Sequence, residues 1–112
     1  MQILVAGGCN KWCEVLNVPD EQPLSSAEIF DLKTGNWIKA ADMPTPLSSA
    51  KMELFGSLPT TIGGFNGTGV TSNMYQYDVE TNEWSINKRL KLRQARNNAA
   101  VLQVPRQYFT NC

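Results

Sequence analysis

Histidine is absent from this 112-residue sequence. That absence removes the Ser-His-Asp and Cys-His nucleophile arrangements and the His-ligated zinc, copper and non-haem iron sites. An excess of charge of either sign is missing too, because 10 Lys and Arg balance 10 Asp and Glu. A neutral chain has no global attraction for nucleic acid or for an anionic membrane, so neither is expected as a partner. No run of about 18 or more apolar residues occurs to span a bilayer as a helix. The apolar start, Met1 to Ala6, stops at Gly7-Gly8 with no basic run before it. It is too short for a signal peptide, and the expected compartment is the cytoplasm, with the nucleus as the alternative. Cysteines are few and odd in number: Cys9, Cys13 and Cys112. Their spacing matches no strong zinc pattern, and the odd count speaks against a disulfide framework. Reduced thiols are the expectation, with a Cys9–Cys13 bridge or a metal as the alternatives. Helical periodicity of any length is lacking as well.

What is present is the composition of one globular unit, 42% apolar and 18% charged. Its organising feature is an internal repeat. Ala27-Glu28-Ile29-Phe30-Asp31-Leu32-Lys33-Thr34-Gly35-Asn36-Trp37 aligns without a gap on Met74-Tyr75-Gln76-Tyr77-Asp78-Val79-Glu80-Thr81-Asn82-Glu83-Trp84, at an offset of 47 residues. Upstream of each copy a strand-like run closes on a double glycine, Gly7-Gly8 and Gly63-Gly64. Between the copies Met43-Pro44 aligns with Leu90-Lys91, beyond which the offset drifts by about two residues, as expected in a loop of variable length. The same offset carries Ile62-Gly63-Gly64 onto Phe109-Thr110-Asn111, the beginning of a third copy without its glycines.

The runs are short, β-branched or aromatic, and bounded by turn residues, so they read as strands. Asp and Thr side chains can hydrogen-bond the backbone of the intervening turn, where Gly35 or Asn82 tolerates a left-handed conformation. A double glycine after a strand marks positive φ or a close approach of backbone. The recurring aromatic and Trp provide two large apolar anchors per repeat. Asn66-Gly67-Thr68 also spells an N-glycosylation sequon, which reads as a chance match in a turn.

The full pattern is strand-Gly-Gly, aromatic-Asp, Thr-(Gly/Asn)-x-Trp, then Met-Pro and a small or polar residue opening the next strand. It resembles the kelch repeat of β-propellers, over almost the whole chain. The resemblance implies an all-β fold, a partial kelch β-propeller of about two four-stranded antiparallel blades. Naming the strands of a blade a to d from the hub outward, residues 1–44 would form a partial blade (strands b to d), 45–91 a complete blade, and 92–112 the start of a third. The expected strands are b at 2–7, c at 26–31 and d at 36–40, then a at 49–55, b at 58–63, c at 73–78 and d at 83–88, then a at 97–103 and b at 106–110. Closed propellers have roughly 4–8 blades. Three arrangements are therefore open: part of a longer kelch protein, self-association of several chains to complete a propeller, or a partial propeller on its own.

In kelch propellers the b–c and d–a loops emerge on the face that usually binds the partner. The first b–c loop here, Cys9 to Ser26, is long and contains Trp12. The second, Phe65 to Asn73, opens with Phe65 and Asn66. The d–a segment Lys88 to Arg96 carries five basic residues in nine, and the chain from Ser57 onward nets +3 against −3 before it. An acidic peptide held by arginines is one reading of that segment; an ordinary solvated turn is the other. Arg96 matches the arginine often found where strand a begins, although the first copy has Leu47 there. The candidate partner-binding residues are Trp12, Phe65, Asn66, Arg93 and Arg96. Phe30, Trp37, Tyr77 and Trp84 read as blade-packing residues, and Asp31 and Asp78 as turn-formers.

The implied function is non-catalytic protein–protein interaction, either substrate recognition for a ubiquitin ligase or binding to actin. The expected partner is a protein, such as an acidic peptide or a ligase substrate. An enzyme is the remote alternative. Galactose-oxidase-like propellers need His among their copper ligands, and the sialidase box spaces its Asp and Gly by two residues where Asp31 and Gly35 are four apart. No catalytic residue, metal or cofactor is expected.

Overall fold

The structure, a computed structural model, describes residues 1–9 and 22–104. Seven strands follow one another with no helix among the described residues: β1 (Gln2–Ala6), β2 (Ala27–Asp31), β3 (Asn36–Ala40), β4 (Lys51–Phe55), β5 (Leu58–Ile62), β6 (Asn73–Asp78) and β7 (Glu83–Lys91). They form two antiparallel sheets with neighbours in sequence order, β1-β2-β3 and β4-β5-β6-β7. These are a three-stranded and a four-stranded blade of a partial propeller.

The turn chemistry closes the outer hairpin of each blade. Asp31 Oδ1 accepts from Lys33 N and Asp78 Oδ1 from Glu80 N, both at 2.9 Å. Gly35 and Asn82 occupy equivalent left-handed positions, with φ of 74° and 54°. This registers Phe30 against Trp37 and Tyr77 against Trp84 across their strand pairs. The ring centroids lie 5.0 Å and 4.9 Å apart, with the planes tilted at 46° and 45°. An aromatic pair at this spacing and tilt is a favourable contact beyond its buried area.

The core lies between the blades. Tyr77 is buried against Ala27, Ile29 and Ala40 of the first sheet, with Leu4, Ala6 and Trp84 packed around them. Beside it, Met43 and Leu47 bury against Tyr75. The aromatic face of the second blade thus covers the aliphatic face of the first. The equivalent aromatic face of the first blade carries no second sheet among the described residues, and Trp37 is 55% exposed there while Trp84 is half-buried. The two tryptophans of the repeat share a position in their own blade but not an environment.

Each double glycine seats the segment that follows the outer strand of its own blade. A Cβ on Gly7 would collide with the Leu47 carbonyl oxygen, and one on Gly63 with that of Arg96. The second glycine of each pair then donates to the same carbonyl, Gly8 N to Leu47 O at 2.8 Å and Gly64 N to Arg96 O at 2.9 Å. Only a residue without a side chain lets these backbones approach.

Two details differ from the sequence expectation. Met43 N donates to Ser25 O at 2.8 Å, and the bond at the equivalent place joins Leu92 N to Ser72 O at 2.8 Å. The counterpart of Met43 is therefore Leu92, not Leu90. The two-residue drift is located inside β7, where the ladder is irregular between Asn73 and Tyr75 and the strand continues to Lys91. The expected strand at 97–103 forms no ladder among the described residues. A strand needs a hydrogen-bonded neighbour, and the one expected for it, at 106–110, lies outside the described residues. The segment instead runs beside β4. Asn98 N donates to Ser49 O at 2.8 Å, and Gln103 Nε2 to Leu54 O at 2.6 Å.

Candidate protein-binding face

Three of the five sequence-nominated residues come together at one end of the second blade. Phe65 follows the double glycine and exchanges backbone bonds with Ser48, whose N donates to Phe65 O at 2.9 Å and whose O accepts from Phe65 N at 2.8 Å. Phe65 also bridges Val70 across the loop. Asn66 sits at the loop's turn, with its backbone N donating to Gly69 O at 3.0 Å. Arg96 closes the other side. Its carbonyl takes the Gly64 N–H, and its N donates to Thr71 O at 3.4 Å. Phe65 and Asn66 are half-buried and Arg96 is exposed. Arg93, also exposed, lies three residues earlier on the same d–a connection. Trp12 falls outside the described residues.

The Asn66 side chain has a task inside the loop. Its Oδ1 accepts from Thr68 N and Thr68 Oγ1 at 2.9 Å and from Gly69 N at 3.0 Å. This is the capping geometry that favours Asn at turns. The Asn-Gly-Thr-Gly order was its signal in the sequence, so the oxygen of Asn66 shapes the loop that presents Phe65.

The two b–c loops adjoin. A Cβ on Gly67, at the tip of the second, would lie 3.6 Å from Pro23 Cγ of the first. At the base of the first loop, Gly8 O accepts from Leu24 N at 2.8 Å, and Cys9 bridges Pro23. The described ends of the first loop, Cys9 and Pro23, are thereby joined to each other, and Pro23 lies beside the tip of the second blade's loop.

Charge on this connection is one-sided. Lys88, Arg89, Lys91, Arg93 and Arg96 are all exposed, and the sole ion pair among the described residues is elsewhere, Lys39–Asp42 at 3.3 Å. No group of three or more His, Cys, Asp or Glu able to hold a metal occurs among the described residues. The cleft between the blades, about 580 Å³, lies apart from this face. Its lining includes Leu4, Ile29, Met52 and Leu54, and Glu53 is its one ionisable side chain.

Two residues that matter for this geometry were not singled out for it in the sequence. Asn87 organises the irregularity in β7. Asn82 accepts on Oδ1 from Ala41 N at 2.9 Å and from Tyr77 OH at 2.6 Å, tying its turn to the first blade. The replacement of the first copy's Gly35 by Asn82 was the visible sign.

Seated glycines and a tryptophan anchor at repeating positions are matched by a family relationship over most of the chain. The Kelch motif covers residues 2–44 and 61–86. The chain belongs to the kelch-repeat family. Kelch-like protein 7 of Rattus norvegicus and of Mus musculus are each 28% identical to it over 68 residues, 61% of this chain and 12% of the relative. Alpha-scruin of Limulus polyphemus is 30% identical over 63 residues, 55% of this chain and 7% of the relative. The kelch region described here thus spans a small part of the curated relatives it matches.

Proposed function

We propose that this kelch chain is a non-catalytic protein-interaction module that binds its partner on the face built by its b–c loops and d–a connection. The observation that carries the reading is the convergence at Gly64: one carbonyl–amide bond joins Arg96 to the loop that presents Phe65 and Asn66. Kelch-family membership supports the same reading. Half-exposed aromatic surface beside exposed arginine is the composition enriched where protein interfaces concentrate their energy. Trp12, nominated from the sequence, is proposed as a further contact residue.

The finer role is substrate recruitment in the cytoplasm for a ubiquitin ligase, with this chain supplying the recognition surface of a larger assembly. Affinity capture with the full chain tests it. Wild type should retain a discrete set of proteins, and Trp12→Ala, Arg93→Glu and Arg96→Glu should each deplete that set. Co-capture of ligase subunits supports the finer role. Sedimentation with filamentous actin would instead favour the cytoskeletal alternative. Retention of every partner by all three variants would remove the proposed face.

A further inference from the structure

The outer strand of the second blade is built differently from that of the first. Across Met74, β7 places four residues, Asn87 to Leu90, where a regular ladder needs one. The carboxamide of Asn87 pins this bulge. Its Oδ1 accepts from Arg89 N at 2.9 Å and from Leu90 N at 3.3 Å, and its Nδ2 donates to Gln76 Oε1 at 3.2 Å. Gln76 Nε2 in turn donates to Thr60 Oγ1 at 3.3 Å, and that hydroxyl donates to Leu58 O at 3.0 Å. A side-chain relay therefore runs from β5 through β6 to the bulge on β7. The first blade has the aliphatic pair Leu4 and Ile29 where the relay has Thr60 and Gln76.

Bulges at a sheet edge re-aim side chains. This one carries Lys88 and Arg89, both exposed, and leads into exposed Lys91, Arg93 and Arg96. No Asp or Glu follows Glu83 in the sequence. The equivalent stretch of the first blade, from Asn36 to Leu47, holds one cation and one anion, and they pair at 3.3 Å. Uncompensated positive charge is thus a property of the second blade's outer edge and not of the repeat.

Five like charges within nine residues repel one another, and an anionic partner relieves the repulsion. The charges and the bulge obstruct addition of a further strand to this edge, so recognition falls to the side chains. Guanidinium forks suit carboxylates. The stretch from Lys88 to Arg96 has no aromatic side chain on which a base could stack, which favours an acidic peptide over a nucleic acid. We propose that the bulged edge formed by Lys88, Arg89, Lys91 and Arg93, continuing to Arg96, is a docking ridge for an Asp/Glu-rich segment of a protein partner. This deepens the interaction-module reading and rests on it.

The test is fluorescence anisotropy of the full chain with a labelled peptide of alternating Glu and Ser. Binding should weaken with salt, and Lys88→Glu with Arg89→Glu should weaken it roughly tenfold or more. The control pair Lys33→Glu with Lys51→Glu, at exposed cations off the ridge, should change it by less than about twofold. Asn87→Ala keeps every charge and should still weaken binding several-fold, with the circular dichroism spectrum preserved. Equal losses in the ridge and control pairs would overturn the proposal, as would an unchanged affinity in Asn87→Ala. An oligothymidine that binds the ridge more tightly than the peptide would overturn it in favour of nucleic acid. If the peptide does not bind while captured partners still depend on Trp12 and are unchanged by Lys88→Glu with Arg89→Glu, the ridge is refuted and the module reading stands.

Discussion

Trp84 donates its indole N–H to the carbonyl oxygen of Ala41, 43 residues earlier and in the other blade, at 2.8 Å. The ring itself packs on Tyr77 and on the edges of both buried clusters. One side chain therefore joins the two sheets by apolar contact and by a hydrogen bond. Trp37, its repeat partner, stacks on Phe30 of its own blade and is 55% exposed.

Trp84→Ala is accordingly expected to cost about 3–5 kcal/mol, the usual range for deleting a large packed aromatic. Trp84→Phe retains a ring and loses the bond to Ala41, for about 1–2 kcal/mol. Trp37→Ala should cost less than half as much as Trp84→Ala. Urea denaturation of the three variants measures the order, and equal losses at the two tryptophans would contradict the packing described.

Gly63 and Gly35 both hold positive φ, of 68° and 74°, yet they should differ in tolerance. A Cβ at Gly35 meets nothing within 4 Å, whereas one at Gly63 collides with the Arg96 carbonyl. Gly35→Ala is expected to lose about 1–2 kcal/mol for the left-handed backbone alone. Gly63→Ala should lose a further ~1–3 kcal/mol from the forced backbone shift. Thermal melts of the pair test this directly.

At Asn82 the backbone and the side chain can be separated. Asn82→Gly keeps the left-handed turn but gives up the bonds from Ala41 N and Tyr77 OH, for about 1–3 kcal/mol. Asn82→Ala gives up the same bonds and adds the conformational penalty, roughly another 1–2 kcal/mol. If glycine were as stable as the wild type, the tie to the first blade would carry no weight.

Burial raises the Tyr77 phenol above its ordinary value of 10.0, and the neighbouring Asp78 carboxylate raises it further. In the unfolded chain the phenol ionises at its ordinary value, so the unfolded state releases its proton first as pH rises. The stabilisation is fully present below about pH 10 and is lost as pH climbs through the folded value. Tyr77→Phe should therefore flatten part of the fall in urea midpoint above about pH 10. The same substitution lowers the midpoint at neutral pH, because the 2.6 Å bond to Asn82 is gone.

By itself the sequence determined the repeat, the seven strands of the two blades, and the residues of the turns and the aromatic pairs. Those features rest on local rules: strand periodicity, the left-handed tolerance of Gly35 and Asn82, and the side-chain capping by Asp31 and Asp78. It also nominated Phe65, Asn66 and Arg96, which the fold brings together through Gly64. The tertiary structure decided what depends on a neighbour in space. Trp84 is half-buried and Trp37 is more than half exposed because, among the described residues, a second sheet lies against only one of the two faces. The two-residue drift resolved into a bulge at Asn87 because three polar side chains on adjacent strands meet there. Asn66 turned its oxygen inward because the loop's own amides point at it. Periodicity encodes which way a residue faces within its sheet, while the partner on that face is set by chain tens of residues away.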